Sequence, residues 1–566
     1  MAARPVSRTA EQTLFAAKQA AIRGDVEDAA RILAKGLADH PEDFRLASEA
    51  ASLALKRQRH NEAVELYRHA IVLEPSNLEL RIDLAIALSA GGYGRAALAE
   101  MEPLESRLQE DPRYWSVRAN SARLAGAMAQ AADYYDRCLS LKPGHPRALH
   151  GRARVALERG ESGATPRFDR ALQVSSSEAD LWLGKAQALD VDGDSQAARG
   201  LAEQLVNQVP HWIDALELLA QLRSASGELD FDSHYFKAAE NMPDRAEIPI
   251  AHIRHLSLRE KYEDAAEVAA QAAHRFADQP YFKLAHASNA GMAGHLDKAD
   301  ELFSKLGFES PDRALQEGRH RLRRGDLGKA EELLTQTLGS PGLAHTAYAL
   351  LGILWRLTND ARADWLHGQN GLVDTTNLEL SDEALADTIR VLEDIHEDSS
   401  FPVGQSLRGG TQTRHILFHR HEAVLQTLHQ AILAALETYR SRLPSRDAGH
   451  PLLRHRDDPW KLAGSWSVRL QSGGDHHAPH IHPQGVLSSA CYLIIPDAGV
   501  GEGCLEIGAP PADLQLDLPP LHIIQPKKGH LALFPSTLFH GTTPFANGKR
   551  MTVAFDVVPM VGPPDG

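Results

Sequence analysis

Cysteine is the scarcest residue type that carries distinctive chemistry in this chain: Cys138, Cys491 and Cys504 are all there are in 566 residues. Three cysteines so far apart make neither a disulfide framework nor a thiolate metal site, and they suit a reducing cytoplasm. Long apolar runs are missing too. Residues 1–10 are short and polar, and the run 14–22 is interrupted by Lys18 and Gln19. No later stretch reaches the roughly 20 apolar residues that span a bilayer, so neither a signal peptide nor a membrane partner is expected. Basic clusters are equally sparse. None is longer than 319–324, and a formal net charge of -15 turns the chain away from nucleic acid, whose phosphates call for basic patches.

What remains is an ordinary soluble composition, 43% hydrophobic and 24% charged, in a chain long enough for several domains or a repeat array. From about residue 11 to 358 the chain repeats itself. Small residues that let two helices approach recur every 34 positions at Ala29, Ala63, Ala97 and Ala131, and again at Ala265 and Ala299. Prolines close the units at Pro41, Pro75, Pro112 and Pro143, then at Pro210, Pro243, Pro280 and Pro311, and turn glycines stand at Gly24, Gly126, Gly193, Gly294 and Gly325. In the unit 44–77, one apolar-periodic helix runs through Leu53. A turn follows at 59–61, and Ala63, Leu66, Tyr67, Ala70 and Ile71 then keep helical spacing up to Pro75. The array resembles about ten tetratricopeptide repeats, with the copies near 224–244 degenerate. Such stacks form a solenoid with a groove for protein or peptide segments, although assembly without a peptide ligand is an alternative role.

After Trp355 the helical period fails. A helix is expected at 382–397, with Leu385, Ile389 and Leu392 on one face, and another near 421–442, with Val424, Leu428, Ile432 and Leu436 on one side. Both are expected to buttress a sheet. Short segments at 466–470, 486–495, 503–507, 522–525, 530–535 and 551–557 are rich in β-branched and aromatic residues and separated by Gly, Pro and Asp. They indicate a jelly-roll or cupin-like barrel, a double-stranded β-helix. The expected domains are thus a repeat solenoid over 1–358 and a barrel with flanking helices over 359–566.

The chemistry concentrates in that second part. His480 and His482 are two apart, so an extended chain points them the same way, and His540 lies far downstream. Two imidazoles and a downstream third suit iron. Arg550 and Thr552 share one face of a strand, where guanidinium and hydroxyl can hold a dicarboxylate, and Tyr492 can add a phenolic hydrogen bond or serve simply as a core aromatic. Where a facial triad commonly has Asp or Glu, this chain has His482, leaving Asp475 and Glu506 as alternative carboxylates. His476 and His477, before Pro479, are expected in a loop at the entrance. Arg408 and Arg469 stand open between pocket and internal ion pair.

The phrases 405–413, Ser465-Trp466-Ser467-Val468-Arg469-Leu470, His480-Ile481-His482-Pro483, Leu533-Phe534-Pro535-Ser536 and His540-Gly541-Thr542, with the strand from Arg550, resemble a bacterial family of 2-oxoglutarate- and iron(II)-dependent oxygenases fused to tetratricopeptide repeats. The resemblance implies Fe(II), 2-oxoglutarate and O2 as cofactor and co-substrates, with His480, His482 and His540 as metal ligands. Arg550, Thr552 and Tyr492 would bind the co-substrate. It implies a hydroxylase. Three functions compete: oxidation of a protein or peptide side chain brought by the repeat groove, oxidation of a small molecule with the repeats used for assembly, and a metal-binding scaffold without catalysis. The substrate, the oxidised atom and any homo-oligomer are not legible.

Overall fold

The computed structural model describes residues 9–397, 407–471, 473–497, 499 and 501–560. The described residues divide into two compact units, one of 9–184 with 419–421, the other made of those between 185 and 418 and between 422 and 560.

The first unit is a run of antiparallel helix pairs, from Ala10–Ile22 with Val26–Asp39 to Pro146–Glu158 with Ala164–Val174. The alanines spaced by 34 lie at the helix contacts: Ala63, Ala97 and Ala131 have no exposed surface. Asp43, Asn77 and Asp111 cap helix starts by accepting from the backbone N–H two residues on. Gly24, at φ +82°, closes its helix with the paired bonds Gly24 N–H to Ala21 and Asp25 N–H to Ala20, a turn that favours a residue without Cβ. The prolines have two roles where the sequence suggested one. Pro41, Pro75 and Pro143 lie just past a helix, whereas Pro112, Pro280 and Pro311 open the next one, where the missing N–H leaves no bond unmade.

The second unit begins with further helix pairs, among them the short helix Ser233–Asn241 inside the expected degenerate stretch. After the repeat helix Pro341–Leu357 come antiparallel strands, interspersed with the helices Asp382–Glu397 and Ala423–Arg442: β1 (Asp374–Asn377), β2 (Leu407–Arg408), β3 (Thr411–Gln412), β4 (Trp460–Gln471), β5 (His476–His477), β6 (Leu487–Ile494), β7 (Leu505–Ile507), β8 (His522–Ile524), β9 (His530–Pro535), β10 (His540–Thr542) and β11 (Lys549–Pro559). They form a six-stranded sheet in the order β1-β9-β6-β11-β4-β3, a three-stranded sheet β10-β7-β8 and the pair β2-β5. A helical repeat array followed by a β-rich, jelly-roll-like region is the expected fold class.

Alternation along the central strands sorts the side chains. Cys491 and Leu493 of β6, Leu531 and Leu533 of β9, and Met551, Val553, Phe555 and Val557 of β11 share one core with Leu385 and Leu392 of helix Asp382–Glu397 and Leu428, Ile432 and Leu436 of helix Ala423–Arg442. These are the buttressing helices. On the other face Ala490, Tyr492, Ala532 and Phe534 pack with Leu505 and Ile507 of the smaller sheet. Repeat helices join the barrel in a further core, in which Leu322, Leu350 and Leu354 meet Leu514 and Phe539. Among the described residues no helix is long and apolar enough to cross a membrane.

Several histidines are sealed in this unit as neutral rings. Burial lowers His234, His255 and His345 to about 4, and His367 and His396 to about 3. Unfolding returns each to near 6.5, so below that pH the unfolded chain takes up protons that the folded one refuses. Stability from these sites is full above pH 6.5 and is lost as pH falls toward the folded values. The thermal midpoint of this unit is expected to drop between pH 7.5 and pH 5; a midpoint that stays constant or rises would show that these rings are not buried neutral.

Candidate active site

His480 and His540 meet as an isolated antiparallel bridge, each backbone N–H donating to the other's carbonyl at 3.0 and 2.9 Å. His482 follows two residues on in extended chain, so its ring turns to the same side. The ring centroids are 4.3 Å apart for His480 and His540, and 5.0 Å for each other pair. One ring nitrogen from each lies within 4.8 Å of the other two.

Outer partners fix which nitrogen is which. His480 Nδ1 sits 2.9 Å from the Ala478 carbonyl, His540 Nδ1 3.2 Å from the Leu538 carbonyl, and His482 Nδ1 2.5 Å from Asp556 Oδ1. Each of those acceptors needs a donor, so the network assigns the proton to Nδ1 and leaves Nε2 with its lone pair on all three rings. Nε2 of His480 and Nε2 of His482 are 3.1 Å apart. Two lone pairs at that distance repel unless a proton or a cation lies between them. A proton is disfavoured, because burial and then the neighbouring His482 push His480 down to about 3, and burial holds His540 well below its usual value. Imidazole bonds of about 2.1 Å at right angles separate two ligand nitrogens by about 3 Å, so the spacing fits a divalent metal.

Arg550, Thr552, Ala554 and Asp556 alternate along β11 and all face the same cavity as the histidines. Arg550 is 2% exposed and lies directly over Tyr492, its guanidinium carbon 5.5 Å from the ring centroid. The strand register sets Tyr492 opposite Thr552. Arg550 Nε and the Tyr492 hydroxyl are buried without a hydrogen-bond partner, and among the described residues no carboxylate pairs with Arg550. Burial lowers the guanidinium and pushes the Tyr492 phenol up to about 12. The guanidinium and the Tyr492 phenol interact with each other, and a buried cation with no carboxylate to balance it makes a site that is satisfied by an anion.

The cavity holds about 590 Å3. Trp466, Phe539 and Ile481 wall it on the barrel side, and Leu258, Glu260, Tyr262 and Arg319 of the repeats wall it on the other. Glu260 sits at φ +58° in the turn position that glycine takes elsewhere in the array, and it pairs with Arg408 of β2. Arg319 and Arg323 both bind the Asp513 carboxylate, at 2.7 and 2.8 Å, which fastens helix Pro311–Arg323 to the barrel.

The remaining sequence candidates fall elsewhere. Asp475 accepts the Gln471 N–H in a turn, and Glu506 lies on β7 opposite Gly541; neither joins the histidine cluster. His476 and His477 form β5, paired with β2, where a loop was expected; His477 lines the cavity, while His476 bonds the Gly474 carbonyl. Arg469 is an internal ion pair with Glu397, and Arg408 faces the cavity. Of the phrase 405–413, Gln405 and Ser406 lie outside the described residues. Sequence reading missed Asp556, although its even spacing from Arg550 along one strand was the available signal. It also missed the repeat-side wall, for which the sequence holds no local signal.

The histidine cluster and strand β11 up to Asp556 fall within the span of one family match. The family described as "Putative 2OG-Fe(II) oxygenase" matches residues 464–556, and two tetratricopeptide repeat families match 17–77 and 54–120. No curated protein matches the chain. Among solved structures, yeast Tom70 aligns over 67% of this chain and 99% of its own, at 14% identity and a TM-score of 0.31. MamA from Desulfovibrio magneticus RS-1 aligns over 30% of this chain and 98% of its own, at 13% identity and a TM-score of 0.28. A thermophilic TPR protein from Thermus thermophilus aligns over 32% of this chain and 99% of its own, at 21% identity and a TM-score of 0.28. The oxygenase family implies Fe(II), 2-oxoglutarate and O2. The chain therefore carries tetratricopeptide repeats and, toward its C-terminus, a domain that matches the family described as "Putative 2OG-Fe(II) oxygenase".

Proposed function

We propose that this protein is a 2-oxoglutarate- and iron(II)-dependent dioxygenase that hydroxylates a side chain of a protein or peptide, with repeats over 1–358 and the oxygenase domain over 359–566. In this reading His480, His482 and His540 hold the iron, and Arg550, Thr552 and Tyr492 hold 2-oxoglutarate. One observation carries it: three Nε2 lone pairs, each fixed by an outer partner of its own ring, converge in the cavity that also contains a buried guanidinium with no carboxylate partner. When bound, iron(II) with 2-oxoglutarate and O2 supplies the oxidation, one oxygen atom going to the substrate and the other to succinate as CO2 leaves.

The chain's own residues prepare that chemistry. Ala478, Leu538 and Asp556 keep the three rings in the tautomer that presents Nε2. Asp556 does more, since three neutral imidazoles leave the charge of a divalent ion uncompensated and this carboxylate supplies a negative charge one imidazole away. Arg550 gives a carboxylate a charged, two-pronged donor from a buried position, and Thr552 and Tyr492 add hydroxyls on the same side. The three free, buried thiols are compatible with a cytoplasmic setting. Repeats serve most often to bind polypeptide segments, which favours a protein or peptide substrate. Incubating protein and metabolite fractions separately with enzyme, Fe(II) and 2-oxoglutarate, and weighing the products for one added oxygen, tests that choice; gain confined to metabolites would refute it.

Two sets of variants test the residue roles. His480→Ala or His540→Ala should lose stoichiometric iron, and Asp556→Asn should weaken iron binding roughly 10- to 100-fold while leaving the three ligands in place. Iron retained at one per chain in either alanine variant would contradict the ligand set. Arg550→Ala should raise the 2-oxoglutarate concentration needed for half-maximal turnover on the order of a hundredfold, with a smaller change in iron affinity. An unchanged requirement would point to a cupin dioxygenase that needs no co-substrate.

A further inference from the structure

The histidine cavity opens beside a second one. A space of about 420 Å3 shares Trp466 and Gln412 with it and is walled by Gln187, Asp190 and Gln221 of the repeat helices Ala179–Val191 and Ile213–Ala225, and by Thr413 and Arg414 of the barrel side. Its chemistry differs from that of the first. Asp190 and Arg414 neutralise each other across it. The other polar groups are the three glutamine amides, the hydroxyls of Thr413 and Ser465 and the rings of His415 and Trp466, most of which donate and accept without net charge. The residue at the junction is the informative one. Gln412 belongs to β3, the outermost strand of the six-stranded sheet among the described residues, and its Oε1 is buried with no hydrogen-bond partner. A desolvated amide oxygen is costly to leave unmet, and the donor that matches it without bringing charge is an amide N–H. Main-chain N–H and C=O groups recur every 3.3 Å or so along an extended polypeptide, alternating in direction, and they match a corridor of glutamines in a way that a compact metabolite does not.

We infer that this second cavity is a subsite for the main chain of an extended polypeptide whose oxidised residue sits in the histidine cavity. The chain would pass over Trp466 and Gln412. The inference rests on the proposed oxygenase reading of the first cavity and adds to it where the substrate runs. It also makes repeat residues part of the substrate cleft itself, so recognition is not left to a distant groove.

The test uses the full chain with Fe(II), 2-oxoglutarate and a synthetic library of twelve-residue peptides of randomised sequence, products being identified by the mass of one added oxygen. The best peptide is then shortened to the oxidised residue and one neighbour on each side. Gln221→Trp fills the second cavity from a half-buried helix position; Gln187→Trp fills it from the other helix in case the first variant misfolds, and circular dichroism and thermal midpoints verify folding. Shortening the peptide should raise KM about tenfold or more with a smaller effect on kcat. The tryptophan variants should raise KM for the long peptide similarly and should no longer distinguish long from short. If peptides are oxidised but a folded tryptophan variant keeps the wild-type preference for the long one, or if the short peptide serves as well as the long one, the subsite is refuted while the oxygenase reading stands. If no peptide gains oxygen although the enzyme turns over 2-oxoglutarate, the polypeptide reading falls and this inference falls with it.

Discussion

The two-residue alternation of strand β11 is the constraint on which the rest of the C-terminal structure depends. Met551, Val553, Phe555 and Val557 face the helices that buttress the sheet, and Arg550, Thr552, Ala554 and Asp556 face the cavity. A slip of one residue would bury the guanidinium and the carboxylate among leucines and empty the cavity of both. Pairing with β4 along nearly its whole length, and with β6 on the other side, makes that slip expensive. One strand thereby places the proposed anion clamp and the carboxylate behind His482 on a single wall.

Departure from the common two-histidine, one-carboxylate set then has a physical counterpart. In the proposed iron site His482 takes the place where a carboxylate would ordinarily contact the ion, and a carboxylate, Asp556, stands one layer back against its ring. Negative charge remains near the centre, carried through the imidazole. Burial keeps the His480 and His540 rings neutral, and outward hydrogen bonds settle the tautomers of all three.

Much of this was legible in the sequence because it is local or periodic. The alanines spaced by 34 foretold helix contacts, and the apolar stripes of 382–397 and 421–442 foretold the buttress. The spacing of His480, His482 and His540 brought together the three rings that do converge. What was illegible depends on distant parts of the chain. Asp556 lay within reach of an alternation argument begun at Arg550 and simply continued three steps. Glu260, Tyr262, Arg319 and the glutamines of the second cavity were not, because nothing in a repeat's own sequence tells which turn or helix will lie against a barrel some 200 residues downstream. His476 and His477 were misjudged as loop since a two-residue strand exists only by virtue of its partner β2.

The central claim is that the converging imidazoles and the unpaired guanidinium form one reaction centre. Its most direct test is succinate production by the full chain, purified free of metal and supplied with 2-oxoglutarate, with iron(II) and oxygen varied independently. The account expects succinate only when iron(II) and oxygen are both present, with loss on replacing Fe(II) by the redox-inert Zn(II). Stoichiometric iron binding without any succinate, at saturating 2-oxoglutarate and with peptide substrate pools present, would contradict it and leave a metal-binding scaffold.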